Sequence, residues 1–200
     1  MTTNESFPKF DLPVDFIADD SITGDILNYY GNFPCKIKAG VFVLCTEGMV
    51  RATINLLEIV IRKNDFIVVL PNSFIQIHEV SSDTRISFAG FSSDFMLSGN
   101  YVEILLDFMP MILNSPVISL QEDVAGLYRN VYLLLIRAYT LPHSLENKEI
   151  IRSVLAIFLQ GTKELYKRYG KKLDEPLRRE QELYRQFIQL LMVHYTKEHE

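Results

Sequence analysis

Three observations place this 200-residue chain in the α+β class, as an antiparallel sandwich or barrel of strands followed by a set of helices. Up to about residue 100, short runs rich in Val, Ile and Phe recur roughly every 8 to 12 residues, the spacing of antiparallel strands joined by tight turns. Beyond that point the apolar residues recur at three- and four-residue intervals instead, the mark of amphipathic helices. Turn chemistry (Gly, Asn-Asp, Pro-Asn, Ser-Ser) is concentrated in the first regime.

The elements follow in order. CKIKA, VFVLCT, VRATINL, EIVIR, FIVVLP, FIQIHEV and RISFAGF are expected strands. Glu47-Gly48, Lys63-Asn64-Asp65 and Pro71-Asn72-Ser73 separate them, because Gly and Asn tolerate the left-handed backbone that tight turns demand. YVEILLDFMPMIL is a helix interrupted at Pro110, since proline removes a donor and clashes with the preceding turn. SPVISL suits one more short strand. Ser119 and Glu122 have capping-box spacing, opening a helix through VAGLYRNVYLLLIRAY that Pro142 stops. Ser144 caps a second long helix, which closes near Gly170, and Asp174-Glu175-Pro176 opens a third.

Composition narrows the function classes. Thirteen Phe and ten Tyr can fill a large core. No apolar run reaches the roughly 18 to 20 residues that cross a bilayer, and MTTNESFPKF lacks the basic and apolar regions of a signal peptide. A cytoplasmic protein without a membrane role is expected. Residues 1–120 hold 7 Lys+Arg against 14 Asp+Glu, and residues 121–200 hold 13 against 11. Neither part carries the concentrated basic face that phosphate contact needs. Cys35 and Cys45, both in strand-like surroundings, are expected to be buried free thiols.

The motifs of catalysis are missing from the sequence. Of the four histidines only His78 lies in the strand region, whereas a metal site needs several His or carboxylate ligands converging on one point. His194 and His199 are spaced five apart, so they do not share a helix face. No nucleophile elbow and no Gly-rich phosphate loop occurs. No cofactor is expected, and such a sandwich is better suited to holding a ligand than to transforming one.

Strand alternation supplies candidates for that role. Val50, Ala52 and Ile54 point opposite to Arg51, Thr53 and Asn55. Ile75 and Ile77 likewise oppose Phe74, Gln76 and His78. Either the polar sets are solvent faces, or Phe42, Arg51, Phe74, Gln76 and His78 line a cavity as ligand-binding residues. The second long helix carries two apolar stripes, Ile150–Val154–Ile157 and Ile151–Leu155–Phe158–Thr162–Leu165. One stripe is enough to pack a helix on a sheet. The other meets either neighbouring helices or a second subunit, and Ile151, Leu155, Phe158 and Leu165 are the expected dimer interface.

The stretch GVFVLCTEGMVRATINLLEIVIRKNDFIVVLPNSFIQI resembles the N-terminal cupin-like sensor domain of AraC-family transcription regulators, in its strand–turn rhythm, its Asn64-Asp65 turn and its strand ending at Pro71. The tail RREQELYRQFIQLLMVHYTKEHE resembles the linker helix that precedes the paired helix-turn-helix DNA-binding domain of such regulators, through Arg178 or Arg179, Gln181, Leu183 or Tyr184, Phe187, His194, Tyr195 and His199. The resemblance spans most of residues 30 to 200. It implies a cupin-like jelly-roll sensor over residues 1–120, a helical dimerisation region over 121–175 and a linker helix over 176–200. It further implies a homodimer that binds a small-molecule effector of unknown type in the barrel and contacts DNA only through a C-terminal domain not in this chain. Phe187, Leu190 and Leu191 are then expected to pack on their own domain while His194 to Glu200 fray.

The alternative is a cupin-type metal-dependent enzyme acting on a small metabolite. Metal-dependent cupins place histidines after the first barrel turn and just past the proline. Here those places hold Met49 and Val50, and Asn72, Ser73 and Phe74.

Overall fold

The structure, a computed structural model, describes residues 9–10, 12, 14–31, 33–97, 101–140 and 147–170, and beyond them 179, 183, 186, 187 and 190. The strands are β1 (Lys9–Phe10), β2 (Phe16–Thr23), β3 (Cys35–Ile37), β4 (Gly40–Glu47), β5 (Met49–Ile54), β6 (Leu57–Arg62), β7 (Asp65–Val69), β8 (Ser73–Val80), β9 (Arg85–Phe91) and β10 (Val117–Ser119). The helices are α1 (Gly24–Tyr30), α2 (Ser93–Leu97), α3 (Tyr101–Asn114), α4 (Glu122–Thr140) and α5 (Asn147–Tyr169). The seven expected strands are β3 to β9. β2 and α1 are additional elements that the periodicity did not indicate.

The strands form two five-stranded sheets, β1-β3-β8-β5-β6 and β10-β7-β4-β9-β2. Every pairing is antiparallel except that of β1 with β3. The jelly-roll-like order is as expected, but the two sheets are not closed into a barrel. The turns follow the chemistry of their residues. Gly48 takes φ +79 between β4 and β5, and Asn64 and Asn72 take φ of 68 and 67 at the next corners. The β5–β6 hairpin turns through Asn55 and Leu56 with φ of 48 and 70, the doubly left-handed turn that matches strand twist.

The second sheet lies in the middle of three layers and is buried on both faces. Along β4, Val41 and Cys45 enter an aliphatic core shared with Val50, Ala52, Ile54 and Ile61 of the first sheet. The alternate residues Phe42 and Leu44 enter a larger core with the helices. β7 is buried at every position, Ile67 and Val69 on one side and Phe66 and Val68 on the other. Phe158 of α5 is the hub of the helix-side core. Its ring centroid lies 5.0 Å from Phe42, 5.9 Å from Phe66, 5.6 Å from Tyr128 and 5.5 Å from Tyr132. Each such side chain contributes about 1.5–3 kcal/mol by leaving water. The same core therefore joins strands before residue 120 to helices after it.

Two local expectations resolve differently. α3 runs through Pro110 without ending there, and Pro110 sits on its exposed side. The missing backbone N–H costs one intrahelical bond, while Phe108, Met109 and Ile112, buried on either side, hold the helix on the sheet. Ser119 does not cap α4. Its hydroxyl donates to Asp65 Oδ1 at 2.6 Å, and Glu122 Oε2 accepts from the Asn64 amide at 2.6 Å. The pair thus ties the start of α4 to the β6–β7 turn. α5 ends as expected, with the Gly170 N–H bonded to Tyr166 O. Pro142 and Ser144 lie outside the described residues.

Candidate functional site

Arg51, Phe74, Gln76 and His78 do come together, but on the outer face of the first sheet. The register pairs Thr53 with Gln76 and Arg51 with Glu79, so these side chains share the face opposite to Ala52, Ile75 and Ile77. There they satisfy one another. Arg51 Nε meets Glu79 at 3.3 Å and Nη1 meets Glu58 at 3.6 Å, His78 Nε2 and the Thr53 hydroxyl lie 2.7 Å apart, and Lys36 Nζ stands 5.9 Å over the Phe74 ring. Exposed pairs of this kind contribute about 0–1 kcal/mol each. The fifth candidate, Phe42, is 1% exposed and sealed between Phe91 and Phe158 on the helix side. None of the five faces the space between the sheets, which corrects the cavity reading. Alternation defines two faces for each strand without saying which one turns inward.

The residues that do face that space are aliphatic or aromatic. Val43 of β4 and Phe88 of β9 are cross-strand partners, and Ile75 and Ile77 of β8 approach from the other sheet. All four belong to strands with a neighbour on each side and point inward, yet all are only half-buried. Val41, Cys45, Ala52, Ile54 and Ile86 around them are fully buried. A closely packed sandwich buries the inward residues of its central strands. Inward residues that solvent still reaches show where packing between the sheets is incomplete, and this is the candidate apolar site, with α1 set against β8 so that a Cβ at Gly31 would stand 3.7 Å from Ile77. A space of about 10 Å³ lies at the β5–β6 turn, lined by Ile54, Asn55, Leu70, Ser73 and Ile112 among others. It has room for about one water molecule.

The thiols inside are held protonated. Cys45, against the inter-sheet site, donates its thiol to Glu47 O at 3.2 Å, and burial, helped by the Asp65 charge, pushes its pKa up to about 11. Burial also raises Cys35, and both cysteines are free thiols. A thiol held protonated is a poor nucleophile and a poor metal ligand. Among the described residues no three His, Cys, Asp or Glu side chains gather as a metal site requires. On the helix side, burial pushes Tyr128 up to about 12 and raises Tyr132 and Tyr166 well above the usual phenol value. Tyr166 donates to Pro116 O at 3.0 Å.

The helical candidates also turn inward. Ile151, Leu155, Phe158 and Leu165 are 8% exposed or less and belong to the chain's own core, so they do not form a surface for a second subunit. Ile150 and Ile157, from the other stripe of α5, stand outside. In the tail, Phe187 and Leu190 are helical and largely exposed rather than packed on their own domain. Leu191 and residues 194–200 lie outside the described residues. Inward-facing half-burial, the signal that locates the site, is a tertiary property with no trace in the sequence.

No family model and no curated protein sequence matches the chain. Among the described residues no helix is long and apolar enough to cross a membrane. Among solved structures the chain is similar to ToxT from Vibrio cholerae at 12% identity and a TM-score of 0.41, covering 84% of this chain and 63% of that one. It is similar to the AraC-like transcriptional activator CuxR at 11% identity and a TM-score of 0.44, covering 77% of this chain and 51% of that one. A putative ethanolamine utilization protein from Salmonella typhimurium is similar over 39% of this chain and 55% of its own, at 13% identity and a TM-score of 0.27. The chain therefore spans less than two thirds of the length of ToxT and of CuxR.

Proposed function

We propose that this chain is the effector-sensing and dimerising part of an AraC-type transcription regulator, acting on DNA through a domain outside these 200 residues. The observation that carries the sensing role is the apolar site at Val43, Phe88, Ile75 and Ile77. Its lining lacks charge and strong hydrogen-bonding groups, so the effector it suits is an apolar small molecule, aliphatic or aromatic, held by burial.

The layering supports coupling of such a ligand to the helices. Val43 faces the site, while its neighbours Phe42 and Leu44 on the same strand sit under the helices. A ligand that moved β4 would press Phe42 against Phe158, 5.0 Å away, and so displace α5. It shifts the arrangement only to the extent that it binds the two arrangements with different affinity.

The test uses a neutral apolar fluorescent probe, N-phenyl-1-naphthylamine, with the folded chain. Saturable one-to-one binding is expected, abolished in Val43→Phe and Ile75→Phe chains that keep their melting temperature. Binding that survives both plugging substitutions, or no saturable binding at all, would overturn the site.

A further inference from the structure

α4 and α5 lie antiparallel and side by side on the second sheet. Tyr132 packs on Phe158, and Tyr128 reaches Gly161 so closely that a Cβ there would stand 2.8 Å from the phenol oxygen. α3 flanks α5 on the opposite side, where Lys163 pairs with Asp107. Helical geometry then turns two equally spaced stripes into the furrow between α4 and α5, Leu127–Val131–Leu134 from one and Ile150–Val154–Ile157 from the other. Val131 and Val154 reach down to the core. The four residues at the stripe ends do not, with exposures of 61% for Leu127, 50% for Leu134, 38% for Ile150 and 68% for Ile157. Single exposed apolar residues are ordinary, but four lining one furrow mark an interaction surface.

The chain carries a matching third stripe. Leu183, Phe187 and Leu190 are helical, have the same four-then-three spacing and are 57%, 59% and 70% exposed. Two such stripes forming a furrow and a third to fill it are the parts of a three-helix seam. Charge agrees with the match. Asp123 stands four residues before Leu127, and Arg179 stands four residues before Leu183.

We infer that the α4–α5 furrow receives the apolar stripe Leu183, Phe187 and Leu190 from a second copy of this chain. The exchange is reciprocal. Within one chain neither surface covers the other, and each copy brings one furrow and one stripe, so a twofold pair covers both with closed symmetry. The incoming stripe runs parallel to α4, bringing Arg179 to Asp123. The inference deepens the dimerising half of the proposed function and rests on it. It moves the interface from the buried Ile151 set to the exposed Ile150 set. The furrow floor rests on Tyr128, Tyr132 and Phe158, and Phe158 touches Phe42. The interface and the inter-sheet site are thereby separated by one layer of aromatic side chains.

The test is sedimentation equilibrium on the 200-residue chain and two variants, Leu134→Glu/Ile157→Glu in the furrow and Phe187→Glu/Leu190→Glu in the stripe. All four positions are at least half exposed, so the far-UV spectrum serves as the check on folding. The wild-type chain is expected to be a dimer and each variant to associate about 100-fold more weakly or worse. An equimolar mixture of the two variants is expected to regain a dimer, because one furrow and one stripe remain intact across the pair. A stripe variant that stays dimeric, or a mixture that stays monomeric beside a dimeric wild type, overturns the exchange and leaves the dimer reading standing. A wild-type chain that is monomeric at high micromolar concentration overturns both, and probe binding then tests the sensing role separately.

Discussion

Replacing Phe158 by Ala tests whether strands and helices are one cooperative unit. The ring is 2% exposed and makes close aromatic contacts with Phe42, Phe66, Tyr128 and Tyr132 from both layers. A buried Phe→Ala change costs about 3–5 kcal/mol from lost transfer energy and the cavity left behind. Contacts with four rings place this site towards the upper end, since each favourable aromatic pair adds about 0.5–1.5 kcal/mol and the pairs share one ring. A loss of about 4 kcal/mol is about a quarter or more of the stability of an ordinary domain. With a urea dependence of about 2 kcal/mol per molar, the midpoint falls by roughly 2 M. The assay is urea unfolding followed by far-UV dichroism and by tyrosine fluorescence, which report helices and aromatic packing respectively. One coincident transition is expected in both proteins, shifted in the variant. A shift under about 0.5 M, or a variant in which the helices melt while the sheets stay folded, would refute a shared core.

Other outcomes follow from single residues. A Cβ at Gly48 would stand 2.5 Å from Thr84 Cα at φ +79, so Gly48→Ala is expected to lower stability by about 3 kcal/mol in the same urea assay. Leu56→Gly is expected to raise it by about 0.5–1 kcal/mol, because φ is +70 and the side chain is 60% exposed. Arg51→Ala is expected to change stability by less than about 1 kcal/mol and probe binding not at all, since its ion pairs lie on the outer face. Tyr128, Tyr132 and Tyr166 hold their protons in the fold to higher pH than in the unfolded chain. Their contribution is complete below the unfolded phenol value near pH 10 and is lost as pH rises through the folded values, at about 1.4 kcal/mol per pH unit for each phenol. Phenolate absorbance should show these three ionising only as the chain unfolds.

Local chemistry determined a good deal of this molecule. The seven strands from Cys35 to Phe91 were legible because period-two alternation and Gly, Asn and Pro turns are properties of neighbours in the chain. The same holds for the switch to helices and for two stripes on α5. β2 and α1 were not legible, since FIADDSITGDILNYY mixes apolar and acidic residues without one sustained period. The choice of inward face belonged to the tertiary structure. An alternating strand offers two faces, and the middle sheet buries both, so Phe42 went to the helices while Val43 went to the inter-sheet site. A helix with two apolar stripes must likewise turn one towards the sheet. Packing around Phe158 put Ile151, Leu155 and Leu165 inside and left Ile157 exposed, with Leu134 of α4 beside it. Periodicity says that a face exists, but only the partner that covers it says what the face is for.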